Sequence, residues 1–225
     1  MLINLSAQDK AAQEIEAVVG KQRLPTFDDR ANLPYLECIY KECLRWASVS
    51  PLTPPHRLME DDSYDGYTLP KGSSVLCNVR AILRDEELFP DPYSFIPERY
   101  QLGPDVSPEL ERLMDPDTWV FGFGRRRCPG IAFASSSVWL AMVSTIACFR
   151  IERVRDKGGL EIIPERITVQ GAIDPTFMAL GDRDTQNCSC HGVYMMDIPP
   201  LEIMIYLTSP FYLAPRLAAN LQIEL

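Results

Sequence analysis

Basic residues are in deficit: 22 lysines and arginines stand against 31 aspartates and glutamates, giving a formal net charge of -9 and a pI near 4.8. That balance argues against an extended nucleic-acid-binding or anionic-membrane face, and only a local cluster, Arg125, Arg126 and Arg127, runs against it. No internal repeat and no low-complexity segment occurs, which sets aside fibrous and disordered classes. The seven cysteines have no disulfide-framework spacing, and a chain of 225 residues needs no such staples, so a reducing compartment is expected. Asp9, Lys10, Glu14 and Glu16 interrupt the apolar residues of the first stretch, which therefore lacks the layout of a secretory signal. The clearest apolar run, Val138 to Phe149, is too short to cross a bilayer and is expected to be a buried helix. Gly122 and Gly124 have neither the third glycine nor the ribose-binding acid of a dinucleotide site. Cys188, Cys190 and His191 offer three metal ligands but no second cluster at zinc spacing, a weak case for zinc.

What is present suffices for a substantial core, with 46% hydrophobic residues. Ala11, Ala12, Ile15, Val18 and Val19 recur at helical spacing and predict a first helix that closes at Gly20. Pro34 can open a second helix, whose stripe of Leu36, Ile39, Tyr40, Cys43, Leu44 and Ala47 ends before Pro51. Asp65-Gly66 is a hairpin turn signal, and Thr68 to Val79 reads as short strands broken by Pro70 and Gly72. Repeated prolines from Pro90 to Pro116 predict an ordered meander without regular structure. Pro129 suits the first turn of a helix running to about Phe149, with Cys128 at its N-terminus. From about Met178 onward no motif is found.

The chemistry concentrates between Phe121 and Gly130. Phe121, Gly124, Arg126, Cys128 and Gly130 stand at fixed spacing, and five specified positions coincide by chance in about one chain in ten thousand of this length. The partial positive charge at a helix N-terminus favours a cysteine's thiolate, the form that ligates a metal. Glycines on either side let the backbone approach a flat ring and a sulfur closely. Elsewhere, Glu42 and Arg45 lie three apart on the second helix, a spacing that by itself describes a surface ion pair worth about 0.2 to 0.5 kcal/mol.

The pattern resembles the haem loop of the cytochrome P450 family, and the resemblance extends from about Met1 to Phe177, most like fungal microsomal members. It implies a mainly α fold with small β-sheets (α+β), in which residues 1–177 form the C-terminal haem-binding portion and 178–225 a divergent tail. Cys128 would be the axial ligand of the iron of haem b, with Phe121 packed beside its sulfur and Gly124 and Gly130 shaping the loop. Arg126 and His56, the latter in Pro54-Pro55-His56-Arg57, match the family's contacts to the haem propionates; outside that motif His56 reads as a hydrogen-bonded loop histidine. Glu42 and Arg45 would join Arg99, in Pro97-Glu98-Arg99-Tyr100, in a buried structural triad that fixes the meander.

The implied activity is haem-thiolate monooxygenation of a small apolar organic substrate, with NADPH electrons delivered by a cytochrome reductase and cytochrome b5 as a further donor. Val49, Leu52, Ala172 and Ile173 resemble parts of the family's pocket. The family's setting is the cytoplasmic face of the endoplasmic reticulum membrane; this sequence, with no anchor recognised, is expected there or in the cytosol. The resemblance starts downstream of the family's long oxygen-activating helix, so no catalytic acid or alcohol is identified. Two other readings stand beside this one: a non-catalytic haem-binding or protein-interaction fragment, and a truncated product that does not fold stably.

Overall fold

A computed structural model describes residues 3–153, 155, 158–162, 204–207 and 223–224. In chain order the elements are α1 (Leu5–Val18), α2 (Pro34–Trp46), β1 (His56–Leu58), β2 (Asp62–Tyr64), β3 (Tyr67–Leu69), β4 (Ser74–Cys77), α3 (Val79–Ile82), α4 (Pro108–Met114), α5 (Asp117–Val120), α6 (Ile131–Cys148), β5 (Met204–Leu207) and β6 (Ile223–Glu224). Short 3-10 turns occupy Phe27–Asn32, Pro97–Tyr100 and Gly124–Arg126. The architecture is mainly α with small sheets. The chain divides into two units, the first formed by Met1–Ser48 and Leu83–Ile163, the second by Val49–Ile82 and Pro164–Leu225.

In the first unit, α1, α2 and α6 supply the core. Asn4 caps α1, its side-chain oxygen accepting the Ala7 N–H at 3.1 Å. Leu33, at the cap of α2, has no side-chain acceptor, and the Glu14 carboxylate of α1 supplies one by taking the N–H groups of Tyr35 and Leu36 at 2.9 and 3.0 Å. Two helices are thereby locked together at the point where one would otherwise fray. Ala7, Ala11 and Ile15 of α1, Leu36, Ile39 and Tyr40 of α2, and Trp139, Val143 and Ile146 of α6 form one buried cluster. Each large apolar side chain so buried is worth roughly 1.5 to 3 kcal/mol. Beyond α6, the buried Gln8 amide exchanges two hydrogen bonds with the Ile151 backbone, at 3.0 and 3.1 Å, and ties the end of that helix to α1.

Three sequence expectations are corrected here. First, α6 is buried on one face only: Trp139, Val143 and Ile146 face α1 and α2, while Phe133 is 79% exposed and Phe149 68%. Second, the apolar run is part of a helix of 18 residues, Ile131–Cys148, so it is not too short to cross a membrane by length and composition alone, a property shared by the core helices of soluble proteins. Third, the helix begins at Ile131 and not at Pro129. Gly130 is its cap, accepting the Ala134 N–H at 2.8 Å, and Cys128-Pro129-Gly130 form a turn ahead of it. The meander likewise contains a helix. Ser107 accepts the Leu110 N–H at 3.2 Å, Pro108 takes the first helical position, and Glu109 and Glu111 complement the helix dipole, so local start signals override the proline count.

In the second unit, four strands pair in the order β5-β4-β1-β6, with β1 antiparallel to both β4 and β6 and β5 parallel to β4. Two of these strands lie beyond Met178, where the sequence offered no motif. The hairpin β2–β3 turns at Asp65 and Gly66, both left-handed at φ 49° and 81°, the mirror-image turn that favours Asp-Gly. The boundary near Phe177, the pocket residues Ala172 and Ile173, and Cys188, Cys190 and His191 lie outside the described residues.

Replacing Ile39, fully buried at the centre of the helical cluster, with alanine should cost about 2 to 5 kcal/mol of stability, read from the urea midpoint by circular dichroism. A loss well under ~1 kcal/mol would show that the α2 stripe is not packed as described.

Candidate functional site

Glu42 sits on α2 with no exposed side-chain surface, between two arginines. Arg45, one turn further on and equally buried, donates from Nε and Nη2 to its two carboxylate oxygens, both at 2.7 Å. This bidentate pair is the strong geometry for a guanidinium and a carboxylate. Arg99, 6% exposed, approaches the same carboxylate at 3.2 Å from the 3-10 turn Pro97–Tyr100, and the Ile96 N–H adds a bond of 2.8 Å. Two cations against one anion leave an excess positive charge, and backbone dipoles absorb it. Arg45 also donates to the carbonyls of Leu83, Pro92 and Ser94 at 2.8 to 3.1 Å, and Arg99 to those of Pro90 and Asp91 at 3.0 and 3.3 Å. The Arg45 guanidinium lies 5.3 Å from the Phe89 ring centre. Glu42, Arg45 and Arg99 thus come together, and their surplus donors are spent on the irregular chain between Leu83 and Arg99.

The cysteine loop lies further along the chain, directly after α5. Trp119 of α5 is buried, donates its indole N–H to the Leu113 carbonyl at 2.8 Å, and meets Phe123 edge-on with ring centres 5.8 Å apart. Phe121 follows α5, and its carbonyl accepts the Cys128 N–H at 2.8 Å, closing the loop on itself. Within the closure Gly124 stands at φ 58°, a left-handed value that any side chain would strain. Cys128 is exposed at the tip of the turn leading into α6. A Cβ placed on Gly130 would lie 3.7 Å from its sulfur, within van der Waals contact. Arg125, Arg126 and Arg127 are all exposed beside it, and Arg127 donates to the Asp117 carbonyl at 3.3 Å.

Burial separates the exposed Cys128 and Cys148 from the remaining described thiols. It pushes Cys38 and Cys43 of α2 up to about 11 and Cys77 of β4 up to about 12, which keeps them protonated and inert at neutral pH. His56 lies on β1 of the second unit, opposite Val75 of β4. Among the described residues, no three His, Cys, Asp or Glu side chains converge on a metal position. The sequence reading missed Glu14, Arg30, Tyr40 and Trp119, all of which hold the loop or its supports. Tyr40 was legible only as part of the α2 stripe, and Glu14 and Arg30 stand in no motif.

Comparison with known proteins fits this arrangement of buried triad, meander and cysteine loop. The family model for cytochrome P450 matches residues 1–170. Among curated proteins, cytochrome P450 monooxygenase claT of Ampulloclitocybe clavipes is 52% identical over 171 residues, 76% of this chain and 34% of its own length. Cytochrome P450 monooxygenase 176 of Postia placenta is 50% identical over 155 residues, 69% of this chain and 29% of its own. A solved zebra fish cytochrome P450 with progesterone superposes with a TM-score of 0.56 at 30% identity, covering 66% of this chain and 32% of that one. This chain belongs to the cytochrome P450 family. It spans about a third of the length of the curated relatives it matches.

Arg45→Ala should cost about 3 to 5 kcal/mol, because it strands the buried Glu42 charge and orphans three carbonyls, and soluble yield should fall with it. A variant melting like wild type would show the pair to be superficial. Alkylation with iodoacetamide in the native state should label the exposed Cys128 and Cys148 well ahead of Cys38, Cys43 and Cys77, as peptide mapping would show.

Proposed function

We propose that the chain is the haem-holding part of a monooxygenase, with Cys128 as the iron's axial thiolate ligand. The observation that carries this reading is the exposed Cys128 sulfur at the tip of a loop closed by its own N–H bond to Phe121, while Cys38 and Cys43 of the same unit are held as inert thiols. The residues fit the group. A thiolate is a soft donor suited to iron, and an iron carried in its own macrocycle needs a single protein ligand on that side. Gly130 keeps the space against the sulfur free of a side chain. When bound, haem supplies oxygen activation and insertion of one oxygen atom into an organic substrate.

What the chain itself contributes is placement and electrostatics. Phe121 is proposed to pack beside the sulfur when haem is bound, where apolar surface would limit water and tune its donor strength. Arg126 and His56 are each proposed, from the motifs they stand in, as a haem-propionate contact through a charge-assisted bond. Gly124 lets the loop turn tightly enough to hold the cysteine backbone in place. The exposed run Arg125, Arg126 and Arg127 can steer an acidic electron donor, a reductase fed by NADPH or cytochrome b5, despite the negative total charge. The substrate class proposed is a small apolar organic molecule, and the setting is the cytoplasmic face of the endoplasmic reticulum membrane. Residues 1–177 are proposed as the haem-binding portion and 178–225 as a divergent extension.

The purified chain reconstituted with haem b should show a thiolate-type Soret band in its carbon-monoxide difference spectrum. Cys128→Ser should abolish that band while the circular dichroism stays near wild type, because a hydroxyl does not ionise at neutral pH. Cys188→Ser and Cys190→Ser should leave it unchanged. An unchanged spectrum in Cys128→Ser would sink the ligand assignment, and a folded wild-type chain that takes up no haem would favour a protein-interaction role. Arg126→Ala should weaken haem retention by about tenfold or more, the worth of one charge-assisted bond.

A further inference from the structure

The segment from Asp117 to Ser135 contains the cysteine loop, and its two flanks are held by one pair of neighbouring side chains. Arg30 belongs to the 3-10 turn Phe27–Asn32 and Tyr40 to α2. The Arg30 guanidinium donates from Nε and Nη2 to the Glu37 carboxylate at 2.9 and 2.8 Å, which neutralises and orients it. Its remaining nitrogen, Nη1, donates to the Ser135 hydroxyl at 3.3 Å, in the second turn of α6 and seven residues past Cys128. The guanidinium also lies over two rings, 5.2 Å from the Tyr40 centre and 5.5 Å from that of Trp139, and Phe27 approaches Trp139 at 6.1 Å. Tyr40 is buried and donates its phenol O–H to the Asp117 carboxylate at 3.4 Å. Asp117 opens α5, four residues before the carbonyl of Phe121 that receives the Cys128 N–H. Its own carbonyl takes Arg127, the residue preceding the cysteine.

Tyr40 therefore bonds the Asp117 flank of the loop and Arg30 the Ser135 flank, where Tyr40 also interacts, and the Arg30 guanidinium lies over the Tyr40 ring. A planar fork is needed for this. Only a guanidinium can bond a carboxylate with two donors, reach a third partner and present flat faces to two rings; a lysine keeps the charge and loses the geometry. We propose that Arg30 and Tyr40 are positioning residues for Cys128, fixing the separation between α5 and the start of α6 and so the direction in which the sulfur is presented. The haem arm of the test rests on the reading of Cys128 as the iron ligand; the position of the loop itself does not.

The test uses the full 225-residue chain as wild type, Arg30→Lys and Tyr40→Phe, with Ile15→Val in the α1 part of the core as a control for general destabilisation. Hydrogen exchange of the haem-free protein is followed in peptides covering residues 121–134 and, separately, α1. In the haem-loaded protein, the rate at which the thiolate-type carbon-monoxide band converts to that of a protonated or detached thiol is followed in parallel. Both loop variants should raise exchange in 121–134 by about tenfold more than in α1 and speed loss of the thiolate band to a similar degree. Ile15→Val should lower the melting temperature while moving both peptides together. The proposal is overturned if loop exchange in Arg30→Lys and Tyr40→Phe rises only in step with α1, as it would for residues that merely stabilise the fold. Should wild type give no thiolate-type band at all, the ligand reading fails by itself, and the exchange data alone decide whether the pair positions the loop. Tyr40→Phe removes one oxygen atom and no volume of the ring, so a variant able to fold remains even if Arg30→Lys is insoluble.

Discussion

A single carboxylate, Glu42, organises the irregular part of the first unit. It is fully buried, accepts Arg45 on both oxygens, and draws Arg99 and the Ile96 N–H from a segment more than fifty residues downstream. A buried ion would ordinarily be a liability, since desolvation costs several kcal/mol per charge. Here the cost is offset because the donors left over on the two arginines satisfy five carbonyls of chain that forms little regular structure of its own. The meander carries few backbone partners internally, and α2 provides them.

That arrangement explains why the cysteine loop can be both exposed and ordered. The loop makes a few internal backbone bonds, from Cys128 to Phe121, Arg127 to Gly124 and Ile131 to Cys128, and further support comes from its neighbours: the buried Trp119 before it, Tyr40 and Arg30 at its flanks, and α6 leading away from it. A functional thiolate needs access and a fixed direction, two demands that conflict in a free loop. Mounting the loop between helices resolves them. One face of α6 is packed against α1 and α2, while Phe133 is exposed.

Much of this was legible from residues alone. The period of Ala11, Ile15, Leu36 and Ile39 marked two helices, Asp65-Gly66 marked its turn, and the Phe121 to Gly130 spacing marked the loop, because each signal is local: a helix face, a pair of left-handed backbone positions, a short motif. Errors arose where a local signal competed with another. Pro129 suggested a helix start, yet the turn at Cys128 claims the Ile131 N–H first and moves the cap to Gly130. Prolines suggested a structureless meander, and Ser107 with its acidic first turn built α4 within it.

By itself the sequence determined the ligand candidate and the first two helices, which follow from spacing and periodicity over a few residues, while the mainly α character with small sheets and the triad of Glu42, Arg45 and Arg99 came from the family resemblance. Tertiary structure alone decided that Glu14 caps a neighbouring helix, that Arg30 and Tyr40 bond to the flanks of the loop, and that α6 is covered on one face only. Those contacts join residues far apart in the chain, between 20 and about 100 positions, and a pairwise interaction at that separation leaves no periodic trace in the residues on either side.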